Sequence, residues 1–186
     1  MSSIPTPVCD FGAHAVDFGL PGVDGRNHTL ESASGPNGLL VMFICNHCPY
    51  VKALLPRIIR DTRELATIGI GSIAIMPNDP AEYPADDWES MKAIARNLLF
   101  PFPYVLDATQ EVARAYGAVC TPDFFGYNRK MELQYRGRLD ASHGEAADDH
   151  TPRDLFKAMK QVALRGYGPS EQFPSIGCSI KWHVRK

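Results

Sequence analysis

The chain lacks an excess of either charge: 19 Lys and Arg stand against 21 Asp and Glu, a formal net charge of −2 over 186 residues. A protein built to neutralise a phosphate backbone concentrates cation, so nucleic acid is not expected as a partner. Long apolar runs are also missing. None approaches the roughly 20 residues of a spanning helix, and no membrane partner is expected. The opening Met1-Ser2-Ser3-Ile4-Pro5-Thr6-Pro7 has neither a basic nor an apolar leader segment. A cytoplasmic location is therefore expected. No repeat, low-complexity tract or linker divides the sequence, and one domain over 1–186 is the reading at this length.

Cysteine is sparse and odd in number, with 5 in the chain. Small secreted scaffolds use cysteine densely and in pairs. A reducing environment, with disulfides that are transient and chemical, fits better. Two of the five are close together in Cys45-Asn46-His47-Cys48, while Cys9, Cys120 and Cys178 are scattered.

The patterning around that pair is informative. Extended residues near Val16-Asp17-Phe18 and a turn at Val23-Asp24-Gly25-Arg26 predict an N-terminal hairpin. Residues 39–44 are apolar at every position, which suits a central strand covered on both faces. Residues 49–68 then repeat apolar positions at helical spacing, with Pro56 inside the pattern as a predicted kink. A second buried strand is expected at 70–76, a helix capped by Asp86 or Asp87 and running to about 97, and a short strand at 104–106. A helix over 110–116 should end at Gly117. Residues 123–127 and 133–138 read as a hairpin, 140–150 as an exposed acidic loop, and 152–164 as a helix capped by Thr151. The tail from 166 shows no periodicity. This order predicts an α/β fold with helices on both faces of a mixed sheet.

Cys48 would stand where a buried strand hands over to a helix. Free amides and the positive helix end there favour thiolate over thiol. Pro49 suits the first helical position, where its missing donor costs least. A thiolate is the nucleophile of both disulfide exchange and peroxide reduction.

These residues carry a family resemblance. Residues 39–56, the earlier Asp17-Phe18-Gly19-Leu20-Pro21, the segment Val119-Cys120-Thr121-Pro122-Asp123-Phe124-Phe125 and the tail from Pro174 to Trp182 resemble the thioredoxin-fold superfamily. The similarity is to its peroxiredoxin-like branch, the alkyl hydroperoxide reductase/thiol-specific antioxidant proteins. The resemblance implies a thioredoxin-like three-layer fold with an N-terminal hairpin extension (1–37), a core (38–165) and a C-terminal tail (166–186). It also implies a cis Pro122 that presents the Thr121 backbone for substrate. In that superfamily the nucleophile precedes the helix-kinking proline by eight residues. Pro56 lies eight after Cys48 and eleven after Cys45, so the resemblance selects Cys48. Two departures stand out: position 45 is cysteine where peroxidatic family members have Thr or Ser, and the family's activating arginine has no counterpart near Thr121.

The implied activity is thiol–disulfide oxidoreduction, with a thiol or dithiol reductant and a disulfide or peroxide as partners and no bound cofactor. A thiol-dependent peroxidase is the alternative. A metal-binding or catalytically silent interaction module is the third reading, using Cys45, His47 and Cys48. Four-ligand structural zinc would need a second pair that is absent, so no metal is expected. The resolving candidates rank Cys45, Cys120, Cys178. His47 either tunes the thiolate or is a solvated loop residue, and His143, His150, Asp148 and Asp149 read as solvated surface.

Overall fold

A computed structural model describes residues 3–142, 148 and 150–183. In chain order the elements are β1 (Ser3–Pro5), β2 (Gly19–Pro21), β3 (Asn27–Thr29), α1 (Leu30–Ala33), β4 (Gly38–Phe43), α2 (Pro49–Thr67) and β5 (Ile70–Met76). There follow a 3-10 turn (Pro84–Asp86), α3 (Trp88–Asn97), β6 (Tyr104–Leu106), α4 (Glu111–Tyr116), β7 (Cys120–Thr121), β8 (Asp123–Asn128), β9 (Leu133–Tyr135), α5 (Asp154–Arg165) and β10 (Ile176–Ser179).

Five residues of the apolar run at 39–44 lie in β4, which starts at Gly38, and all six residues of the strand are buried, as is Ile44 just beyond it. Because side chains alternate across a strand, Leu40 and Met42 join the core beneath α2, α3 and α5. Leu39, Val41 and Phe43 join a second core with Ala33 of α1 and with Ala113 and Tyr116 of α4. Each fully buried side chain contributes roughly 2 kcal/mol of apolar burial. β4 pairs antiparallel with β8, from Gly38 opposite Asn128 to Phe43 opposite Asp123, and β8 pairs with β9. β5 and β6 run parallel, and the bond from Ile44 N–H to the Ile75 carbonyl (3.1 Å) ties them to β4. The result is a mixed sheet with helices on both faces, the thioredoxin-like architecture.

α2 starts at Pro49, with Cys48 as an extended N-cap, and passes through Pro56, whose ring is exposed. Asp87 caps α3 by accepting from the Ser90 amide (2.7 Å). Gly117 closes α4 in the left-handed region at φ 65°.

Three expectations are corrected. The tail forms β10, which lies between β1 and β7 and pairs antiparallel with both. A four-residue Ile-Gly-Cys-Ser strand has no period to detect; its neighbours define it. Asp140, read as the start of an exposed loop, is buried and takes a 2.6 Å bond from Arg57. α5 is capped at Arg153, not Thr151, because the Thr151 hydroxyl donates to Asp148 (3.0 Å) instead. Cys9 is half-buried and packs on the Phe18 core. His143 and Asp149 lie outside the described residues; Asp148 and His150 are exposed. Among the described residues no helix is long and apolar enough to cross a membrane.

Candidate active site at the start of helix α2

After β4 the chain turns through Cys45, Asn46 and His47 and enters α2 at Cys48. As a thiol, Cys48 donates to the Thr121 carbonyl, 3.1 Å away, and its sulfur lies 3.1 Å from that of Cys178. Its acidity is strongly raised, with the pKa pulled down from 9.0 to about 5. The Cys45 thiol is the main cause, donating to the Cys48 sulfur; burial opposes it, and Cys178 and the Val51 amide add further donors. The free amides of a helix start act in the same direction.

The other thiols are held protonated. The pKa of Cys45 is pushed far up, first by its bond to Cys48 and then by burial and the nearby Asp86 carboxylate. Its sulfur also lies 3.1 Å from the Thr121 hydroxyl. Burial, followed by the bond to Cys48, lifts Cys178 to about 11. Burial raises Cys120 as well, and its thiol donates to the Pro122 carbonyl at 3.5 Å. One thiolate is thus surrounded by thiol donors. None of the cysteines is joined in a disulfide.

The structure therefore brings Cys45, Cys48, Thr121 and Cys178 together. Cys178, the last-ranked partner on sequence, has its sulfur against Cys48. The Thr121-Pro122 peptide is cis. Its edge is not open for a substrate strand, because β10 fills it, with Cys178 opposite Thr121 and Ser179 opposite Cys120. Gly177 makes this approach possible: a Cβ there would lie 2.2 Å from the Thr121 carbonyl oxygen. Cys48 is 0% exposed beneath this strand.

Asp86 was legible in the sequence only as a possible helix cap, and the fold gives it a different position. Its buried carboxylate accepts from the amides of Asn46 (2.8 Å) and His47 (3.1 Å) at Oδ1. At Oδ2 it accepts from the His47 ring Nδ1 (2.5 Å) and the Asn78 amide (2.9 Å). The doublet Asp86-Asp87 was the one available signal, since a single helix needs one cap. The His47 ring stacks on Tyr83 with centroids 4.7 Å apart. Tyr104 supports the same loop from the core, donating to the Asn46 side-chain carbonyl at 2.9 Å.

Donor atoms of Cys45, His47 and Asp86 lie within 4.8 Å of one another, close enough for one cation. Four N–H groups already occupy the acceptor positions of Asp86, however, so the carboxylate serves to orient His47 rather than to offer a ligand. Arg136, a buried cation, is committed elsewhere: it pairs with Asp123 (3.0 Å) and donates to the Gly117 carbonyl (2.8 Å).

Comparison with known proteins gives the family and the fold. The AhpC/TSA family model matches residues 11–138. An uncharacterized conserved protein from Geobacillus kaustophilus is 39% identical over 100% of this chain and 99% of its own, with a TM-score of 0.93. A hypothetical protein from Sinorhizobium meliloti is 37% identical, with 97% and 99% coverage and a TM-score of 0.90. A peroxidoxin from Mycobacterium tuberculosis shares the fold at 15% identity, with 86% and 98% coverage and a TM-score of 0.61. No curated protein matches the chain.

Proposed function

The chain belongs to the AhpC/TSA family, a family of thiol-based redox proteins, and on that premise we propose that it is a thiol–disulfide oxidoreductase with Cys48 as nucleophile and Cys178 as resolving thiol. The observation that carries this reading is the 3.1 Å approach of an acidified Cys48 sulfur to the sulfur of Cys178. Cys45 acts as a donor to the Cys48 thiolate, and its own high pKa keeps it in that role.

The Cys48 thiolate attacks one sulfur of a substrate disulfide. A Cys48 mixed disulfide forms, the substrate S–S bond breaks, and the departing sulfur leaves with the electron pair. Cys178 then attacks the Cys48 sulfur, releasing the second substrate thiol and closing a Cys48–Cys178 disulfide. An external thiol or dithiol returns both to the reduced state, so no bound cofactor is needed. Because β10 covers Cys48, substrate enters by local separation of the short β10–β7 pairing.

The test is mass mapping of protein oxidised with a small disulfide. Wild type should yield a Cys48–Cys178 linkage, and Cys178→Ser should accumulate the adduct on Cys48. An adduct trapped on Cys45, or a Cys48→Ser variant that still forms one, would overturn the assignment. Catalytic peroxide consumption with a dithiol, at rates above those for any disulfide, would favour the peroxidase instead.

A further inference from the structure

We propose that His47 is the acid–base residue of this exchange, its Nε2 protonating the sulfur expelled from the substrate and receiving the proton of the resolving thiol. The inference rests on the exchange reading above and goes beyond it by assigning the protons. Its basis is the geometry around Asp86. A carboxylate with four N–H donors can only accept, so the His47 nitrogen facing it, Nδ1, carries hydrogen in both charge states of the ring. Proton exchange is therefore confined to Nε2. That atom is buried and has no hydrogen-bond partner within the protein, so it is the one ring position left to exchange a proton.

The ring is also in the right place. It belongs to the residue before Cys48, and one of its nitrogens lies within 4.8 Å of the Cys45 sulfur. With 13% of its side chain exposed, it is more open than Cys45, Cys48, Thr121, Cys178 or Asp86. The titratable groups beside it are Asp86, bonded to Nδ1, Tyr83, stacked on the ring, and Cys45, while the Lys181 ammonium lies 5.7 Å from the Tyr83 ring centre.

The protons balance. The balance requires a Cys48 thiolate, a Cys178 thiol and a proton on His47 Nε2 at the start. As Cys48 attacks, the first substrate sulfur departs and takes the Nε2 proton. Cys178 gives its proton to the now neutral Nε2 as it attacks the Cys48 sulfur, and the second departing sulfur takes that proton in turn. Two protons leave on two substrate thiols, and the Cys48–Cys178 disulfide carries the oxidation.

A departing thiolate that is stable as an anion has little need of an acid, and one that is not depends on it. The experiment is single-turnover exchange with two small disulfides, one releasing an acidic aromatic thiol and one a weakly acidic aliphatic thiol. For His47→Gln the aliphatic reaction should slow about 100-fold and the aromatic one by less than about threefold. Asp86→Asn should shift the ratio in the same direction. Wild type should show a solvent isotope effect with the aliphatic substrate alone, a measurement that needs no variant. Equal losses for both disulfides, or no isotope difference, would overturn the role of His47. Failure of wild-type protein with both disulfides would instead overturn the exchange reading on which it rests.

Discussion

The sulfurs of Cys48 and Cys178 lie 3.1 Å apart, although 130 positions separate them in the chain. β10 makes this possible by pairing with β7, so that Cys178 faces Thr121 directly over the start of α2. The tail thus supplies both the cover over Cys48 and the thiol next to it.

The acidity of Cys48 can be read from its thiolate absorbance. Titration of reduced protein should give a midpoint near 5, against an ordinary value of 9.0. Replacing Cys45 by Ala removes the largest stabilising donor and should move the midpoint upward. The linkage has a definite sign. A depressed folded-state pKa adds stability that is complete above 9.0 and is lost as pH falls through about 5. The stability difference between wild type and Cys48→Ala in urea should therefore shrink on acidification from pH 9.0 toward about 5. A constant difference across that window would contradict the assignment.

Gly177 is where the tail meets the Thr121 backbone. Gly177→Ala places a methyl 2.2 Å from a carbonyl oxygen, so β10 must shift away. The cost should be about 1–3 kcal/mol, as for other overpacked contacts. Alkylation of Cys48 should accelerate at the same time, because the strand covering it has moved. A lower melting temperature with unchanged alkylation would mean that β10 does not control access.

Arg136 and Asp123 form a buried ion pair at 3.0 Å. Burial pushes the Asp123 pKa up and Arg136 pulls it down. Arg136→Met leaves the buried carboxylate without its cation and should cost about 3–5 kcal/mol in urea unfolding. Adding Asp123→Asn should recover part of that loss. Additive costs would show that the two residues do not act as a pair.

Tyr104 donates to Asn46 at 2.9 Å from within the core. Tyr104→Phe leaves the Asn46 side-chain carbonyl without this donor and should cost about 1 kcal/mol. Exchange rates should fall with it, since Asn46 sits between the two loop cysteines. Thermal unfolding and single-turnover exchange on the same sample test both effects.

Local chemistry made much of this legible in advance. Six consecutive apolar residues suit a strand covered on both faces, and five of them lie in β4. Pro49 marked the start of α2, and with it the position of Cys48 beside free backbone amides. Asp86 was not legible, because a carboxylate before a helix looks the same whether it caps that helix or turns back to hold a histidine 39 residues away.

The sequence by itself determined the strand–helix junction, the helix-start cysteine and the architecture around them, because each depends on neighbours close in the chain. Only the tertiary structure decided which thiol faces Cys48 and which nitrogen of His47 is left without a partner. Both depend on groups brought together from distant segments, the β10–β7 pairing in one case and the Asp86 carboxylate in the other. A four-residue strand has no signature until its neighbours are in place.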